Sequence, residues 1–362
     1  MEEFQIHFSK EQWDDLRHRL DGARLPKIWE GAGWSFGTER DSLTTLLNYW
    51  KSDYDWYAKE RELNQYPQFT CEIGGVTVHF FYIRTSKKGT LPLILTHGWP
   101  DSFLRYAKLF PILNDYDLIL PSLPGFAFST LPEKGFMNNA EAAELWHKLM
   151  TDVLGYQEYA AAGGDMGRGV TCYLATRHPD AVRGIHLTDV GLVRELIYAP
   201  DEELSHEELD YKHRANEWLK REAAYMNIHS TKPETLAYAL SDSPVGMASW
   251  LLEKYHAWSD PGLLTMDDLC DSLTLYWMTN TACTSIRAYY GNAFTLPEMG
   301  RVNVPTAIAA FPHDVLPAPR EWTEKNYPVI RYTKMLRGGH FTALEQPEAF
   351  AEDISEFMET LK

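Results

Sequence analysis

The sequence predicts an α/β protein whose mostly parallel, eight-stranded sheet is flanked by helices. Short apolar runs alternate with helical stretches, a Gly-Gly turn joins two alternating segments ahead of them, and one long interval shows helical periodicity with no strand pattern.

Residues 1–68 read as a helical meander. Ser9 is placed to cap a segment with Trp13, Leu16 and Leu20 at helical spacing, and a second helical pattern follows Asp41 through Leu46, Leu47 and Trp50. The period then changes. Val76, Val78, Phe80 and Tyr82 alternate after Gly74-Gly75, which predicts a hairpin with one buried face. Apolar runs follow at Leu91 to Thr96, Tyr116 to Leu120, Tyr159 to Ala162, Val182 to Leu187, Pro305 to Ala310 and Val329 to Met335. Runs buried on both faces and separated by helices suit a parallel sheet. Between Asp189 and about Pro305, Trp, Tyr and Leu recur at helical spacing, which predicts a helical lid inserted after strand 6, with the acidic run Asp201 to Asp210 as its solvated face. The expected division is a meander over 1–68, a core over 69–190 and 301–362, and a lid over 191–300.

Composition narrows the function. With 44% hydrophobic residues in 362, the chain can bury a large core, and a net charge of -17 argues against nucleic acid, whose phosphates need clustered cations. No basic-then-apolar leader and no 18-residue apolar run is present, so neither a signal peptide nor a membrane span is expected. Cys71, Cys172, Cys270 and Cys283 lie far apart without CxxC spacing, which reads as reduced, cytoplasmic thiols. No metal or organic cofactor is expected: His206 to His213 lacks HExxH spacing and reads as a charged surface helix.

The most informative segment is Tyr159-Ala-Ala-Ala-Gly-Gly-Asp165-Met-Gly-Arg-Gly, followed by a helical pattern that stops near Pro179. Taken alone it also reads as a glycine-rich turn capped by Asp165. In the context of a preceding strand and a following helix, small residues around one reactive side chain describe the nucleophile elbow of α/β-hydrolases, with Asp where Ser is usual. A carboxylate acylates poorly but displaces a leaving group at saturated carbon, which points to carbon-oxygen or carbon-halogen bonds. The resulting ester must be hydrolysed, and that step needs a base. His340, after the last strand pattern and two glycines, is the histidine late enough in the chain for the order nucleophile, acid, histidine. Asp314 and Asp189 both follow strands that can reach it. Asp314, 26 residues earlier, is favoured as the orienting acid, and Asp189 is read as a helix cap or hydrogen-bond partner at the pocket floor. His97-Gly98-Trp99-Pro100 ends another strand, so the Trp99 and Met166 amides are the expected oxyanion hole. Trp99, Phe126, Phe128 and Trp250 are candidate walls of a pocket for a bulky apolar substrate.

These motifs, together with Tyr66-Pro-Gln-Phe-Thr, Pro121-Ser-Leu-Pro-Gly125, His229-Ser-Thr-Lys-Pro233, Ser243-Pro-Val-Gly246, Glu253-Lys, Phe311-Pro-His-Asp314 and Gly338-Gly-His340-Phe, resemble epoxide hydrolases of the microsomal type over nearly the whole chain. The resemblance implies that Asp165, His340 and Asp314 are nucleophile, base and acid, and that lid tyrosines Tyr225 and Tyr289 hold the epoxide oxygen, with Tyr290 as the adjacent alternative. It implies an apolar epoxide and water as partners, leaves a homodimer open, and makes a soluble protein the expectation because membrane-bound members carry an anchor that this chain lacks. Several members have Asn at the position of Asp189, so a carboxylate there is expected to alter pocket polarity or the pKa of His340. The rival readings are a haloalkane or haloacid dehalogenase, which needs halide donors in place of two phenols, and a non-catalytic binding protein.

Overall fold

A computed structural model describes residues 1–27, 29, 31–191 and 193–362. Nine strands form one sheet: β1 (Glu2–Phe4), β2 (Gln68–Ile73), β3 (Val76–Ile83), β4 (Leu93–Thr96), β5 (Leu118–Pro121), β6 (Tyr159–Gly163), β7 (Val182–Leu187), β8 (Thr306–Ala310) and β9 (Val329–Lys334), in the order β1-β2-β3-β5-β4-β6-β7-β8-β9. The first four in that order pair antiparallel and the rest parallel. The chain was expected to give eight strands; the ninth is β1, which lies in the segment read as helical. Its three residues carry no periodicity of their own and become a strand only by pairing Glu2 with Thr70 and Phe4 with Gln68.

Beyond β1, the meander forms helices Lys10–Asp21, Arg40–Ser52 and Trp56–Leu63. Ser9 caps the first in a reciprocal capping box with Gln12, while the second is capped by Glu39, ahead of the Asp41 that marked it in the sequence. The hairpin β2–β3 turns at Gly74 and Gly75, both at positive φ. Its β3 is buried on both faces rather than one, since His79 and Phe81 are enclosed as fully as Val78 and Phe80. Between β7 and β8 the described residues are helical or irregular, with helices from Val193 to Phe294. The acidic run is only partly solvated: Glu208 is buried, closes a capping box on Ser205 and accepts a bond from Lys325.

The meander is fastened to these inserted helices as well as to the sheet. Helix Arg40–Ser52 packs Leu43, Leu46, Leu47 and Trp50 toward helices Pro244–Trp258 and Met266–Thr279. Trp50 Nε1 donates to Thr274 Oγ1 at 2.8 Å, and the Tyr54 and Tyr49 hydroxyls donate to Asp271 at 2.5 Å and Asp267 at 2.7 Å. No helix among the described residues is long and apolar enough to cross a membrane.

Trp50 is fully buried with its one polar atom satisfied, so its removal leaves a cavity and an orphaned Thr274. Trp50→Ala is expected to lower unfolding free energy by about 3–5 kcal/mol, measured by urea unfolding. A loss below about 1 kcal/mol would show that the meander is not part of the cooperative core.

Candidate active site

The register of the parallel strands decides which loops meet. Thr96 of β4 pairs with Gly163 of β6, and Gly163 pairs in turn with Leu187 of β7, so the residues that follow all three strands emerge side by side at their carboxyl ends. Asp165 stands between β6 and helix Met166–Arg177 at φ 57°, ψ -127°, a backbone conformation rarely tolerated outside glycine. Two glycines make this turn possible. A Cβ on Gly167 would lie 1.9 Å from the carbonyl oxygen of Thr96, and one on Gly163 would lie 2.4 Å from the carbonyl oxygen of Gly167.

The Trp99 amide donates to Asp165 Oδ1 at 2.9 Å, and the Met166 amide also stabilises this carboxylate. The other oxygen, Oδ2, faces His340 Nε2 at 3.4 Å. His340 Nδ1 lies 2.7 Å from Asp314 Oδ1. These two residues are brought together by an extension of the β8–β9 pair, a parallel bridge between His313 and Gly339 in which the His313 amide donates to the Gly338 carbonyl. Asp189 lies on the other side of the elbow. Its Oδ2 accepts from the Asp165 amide at 2.6 Å, and its Oδ1 sits 3.2 Å from Arg168 Nε.

Above Asp165 stands an aromatic cluster. Trp99 stacks on Tyr225 with centroids 5.4 Å apart and meets Tyr289 edge-on at 5.8 Å. The two tyrosine rings lie 5.9 Å apart, nearly perpendicular. Tyr290 instead turns outward against Phe136 and Phe294 and is partly exposed. Of the candidate pocket walls, the structure brings Trp99 to the cluster and sets Trp250 behind it, donating to His229 at 3.1 Å. It does not bring Phe128, which packs on Phe4, Phe8 and His79 beneath β1; Phe126 is buried against His97. Both follow β5 closely in sequence, but the turn around Gly125 carries Phe128 toward the meander, a contact that depends on β1.

Several supporting groups escaped the sequence reading. Arg105 is fully buried, pairs with Asp101 at 2.9 Å and donates to the His340 carbonyl. Glu345 is buried yet accepts from the amides of Gly339, Phe341 and Asp260 at 2.7–2.9 Å, which fixes the loop carrying His340. Lys254 Nζ lies 4.5 Å from the Tyr225 ring centroid. The signal for Glu345 and Lys254 was their place in Gly338-Gly-His340-Phe-Thr-Ala-Leu-Glu345 and Glu253-Lys254, but nothing local told a buried carboxylate or ammonium from an exposed one.

The charges are interdependent. Burial pushes Asp165 up, yet His340 and the Trp99 and Met166 amides outweigh it and hold the carboxyl below its ordinary range. Burial disfavours a charged His340, but Asp314 and Asp165 on either side raise it to about 10. Burial also lifts Asp189, although Arg168 pulls it down; Asp314 adds to the rise. Tyr225 and Tyr289 are both raised, chiefly by burial, with the Asp165 charge adding to it, so both phenols stay protonated at neutral pH.

A carboxylate on a strained strand-to-helix turn, facing two backbone amides and a histidine paired with an acid at the end of the sheet, defines an α/β-hydrolase with an aspartate nucleophile position. Residues 92–227 match the family model described as alpha/beta hydrolase fold, and residues 1–106 match the one described as epoxide hydrolase N terminus. The chain is 35% identical to epoxide hydrolase 1 of Sus scrofa, covering 99% of this chain and 88% of that one. It is 33% identical to juvenile hormone epoxide hydrolase 2 of Ctenocephalides felis, covering 98% and 84%. It superposes on the Aspergillus niger epoxide hydrolase structure with a TM-score of 0.90 at 30% identity, covering 100% of this chain and 96% of that one. The chain belongs to the epoxide hydrolase family.

Because His340 is raised by two carboxylates, its ring is expected to be protonated at neutral pH and to titrate near 10 by NMR. Asp165→Asn removes one of the two and should bring the titration down. The sign for stability follows: the contribution of this ion pair is complete below the ordinary histidine value of 6.5 and is lost as pH rises through about 10. A wild-type ring titrating near 6.5 would overturn this account of the charges.

Proposed function

We propose that this protein hydrolyses an apolar epoxide to a vicinal diol through an ester on Asp165. The observation that carries the reading is the division of labour between the two carboxylate oxygens: Oδ1 is held by the Trp99 amide at 2.9 Å, and Oδ2 is left facing His340 at 3.4 Å, with the Tyr225 and Tyr289 phenols near enough to feel the Asp165 charge. In the first step Oδ2 attacks a ring carbon from behind. The carbon-oxygen bond breaks, and the developing alkoxide takes a proton from Tyr225 or Tyr289. Trp99 sets the orientation of both phenols, and Lys254 beside the Tyr225 ring favours the phenolate that results.

The charge pattern couples this step to the next. Alkylation converts Asp165 to a neutral ester, removing one of the two carboxylates that hold the proton on His340. The imidazole then loses that proton, the phenolate regains one, and neutral His340, oriented by Asp314, takes a proton from water as it attacks Cγ of the ester. Negative charge develops on Oδ1, already facing the Trp99 and Met166 amides. Collapse breaks the Cγ–Oδ2 bond, and the departing diol oxygen recovers the proton from His340. Asp189 has its place in holding the elbow, through the Asp165 amide and Arg168, rather than in the relay. A cytoplasmic setting is supported by Cys71, Cys172, Cys270 and Cys283, which are all buried and unpaired with one another.

His340→Gln should separate the half-reactions, because attack on the ring needs no base while ester hydrolysis does. Intact-mass measurement of the folded variant after mixing with styrene oxide should show one added substrate mass; an unmodified protein counts against Asp165 as nucleophile. Tyr225→Phe and Tyr289→Phe should each slow alkylation, and the double variant should lose about 10²- to 10⁴-fold or more in single-turnover alkylation. Normal alkylation in the double variant would reduce both residues to lid packing and return the reaction to the dehalogenase class, tested next by halide release from a haloalkane.

A further inference from the structure

The tract His229-Ser-Thr-Lys-Pro233 has no part in the chemistry above, yet His229 stands inside the aromatic cluster. It lies one helical turn after Tyr225 on helix Ala224–Thr231, and the two are the residues that this helix buries along with it. The His229 ring is fully enclosed, 4.7 Å from Trp99, 4.9 Å from Tyr289 and 5.6 Å from Tyr225.

Its tautomer is fixed by a neighbour. Trp250 Nε1 donates to His229 Nε2 at 3.1 Å, and an indole N–H can only donate, so Nε2 is a lone pair and the proton sits on Nδ1. Burial and the nearby Lys254 ammonium lower the imidazole to about 3, so the ring keeps this neutral form at neutral pH. Nδ1–H is therefore a permanent donor, and it has no acceptor among the described residues. The other two imidazole nitrogens buried without a partner differ in kind. His340 Nε2 faces Asp165, and His186 Nδ1 can remain a bare lone pair because the proton of that ring goes to Asp353 at 2.8 Å. A buried N–H with no acceptor is the costlier vacancy, and an acceptor delivered by the substrate would remove that cost.

We propose that His229 is a substrate-binding residue whose Nδ1–H selects epoxides carrying an acceptor oxygen, of an ether or an ester, close to the ring. This rests on the epoxide reading above and deepens it: the walls about the two phenols are apolar, and His229 Nδ1–H is a fixed donor beside them, as is the Trp99 indole N–H, which is likewise buried without a partner. A substrate with a methylene at the same place leaves the donor unmatched.

The test compares benzyl glycidyl ether with its carbon isostere, in which a methylene replaces the ether oxygen, and reads the ratio of their kcat/KM values. Asn places its amide nitrogen where His has Nδ1, and Gln places its amide where His has Nε2. His229→Gln should lower the ether-to-carbon ratio by roughly 5- to 100-fold, the range expected for one buried hydrogen bond, while His229→Asn should preserve most of it. Trp250→Phe leaves His229 in place but frees its tautomer, and should lower the ratio part of the way; it decides the matter if circular dichroism shows that the Gln variant does not fold. A ratio unchanged in His229→Gln, or in Trp250→Phe where that variant decides, overturns the proposal and leaves Nδ1–H to a bound water. Turnover of neither epoxide by the wild type would instead overturn the epoxide reading, and this proposal with it.

Discussion

The site depends on one unfavourable backbone conformation. Asp165 at φ 57° lifts its carboxylate out of the sheet and aims it at the loop after β4, and a non-glycine residue in this region costs on the order of 1–3 kcal/mol. The surroundings leave the turn no alternative. Helix Met166–Arg177 is pressed so closely on β4 that Gly167 has no room for a methyl group, and Asp189, in the segment after β7, grips the Asp165 amide. The Met166 amide and the Asp165 carboxylate are thus placed by the same contact.

Around this turn the charges form one system. His340 lies between Asp165 and Asp314, and each of these carboxylates helps to hold its proton. The proton on His340 therefore depends on both carboxylates, and anything that neutralises Asp165 weakens the hold on it. Arg105 and Glu345 belong to the same arrangement at one remove. Buried Arg105 holds the His340 carbonyl, and Glu345 gathers amides from both sides of the histidine loop and from Asp260.

The inserted helices are held from two directions. Below, Tyr255 and Tyr276 donate to the carbonyls of Pro100 and Asp101, and the His340 amide donates to the carbonyl of Trp258, all at 2.7–2.8 Å. Outside, the meander anchors Asp267, Asp271 and Thr274. The inserted helices that carry Tyr225 and Tyr289 are thus braced against both the loops around Pro100 and His340 and the N-terminal segment.

The strands from β2 to β9, the elbow at Asp165 and the loops carrying Trp99, Asp314 and His340 were legible in the sequence, because each is a local pattern: a period, a glycine pair or a position after an apolar run. Tyr225 and Tyr289 needed the family resemblance, since nothing local separates them from the other tyrosines of an aromatic lid. What the sequence could not decide is what depends on partners distant along the chain. Strand β1 exists only through its pairing with β2, Phe128 leaves the pocket because β1 is there to receive it, and Tyr289 rather than its neighbour Tyr290 faces inward because of how its helix lies on Trp99 and His229. The tautomer of His229 is the extreme case: a proton's position on one ring is set by an indole 21 residues away, and only the packed structure brings the two within 3.1 Å.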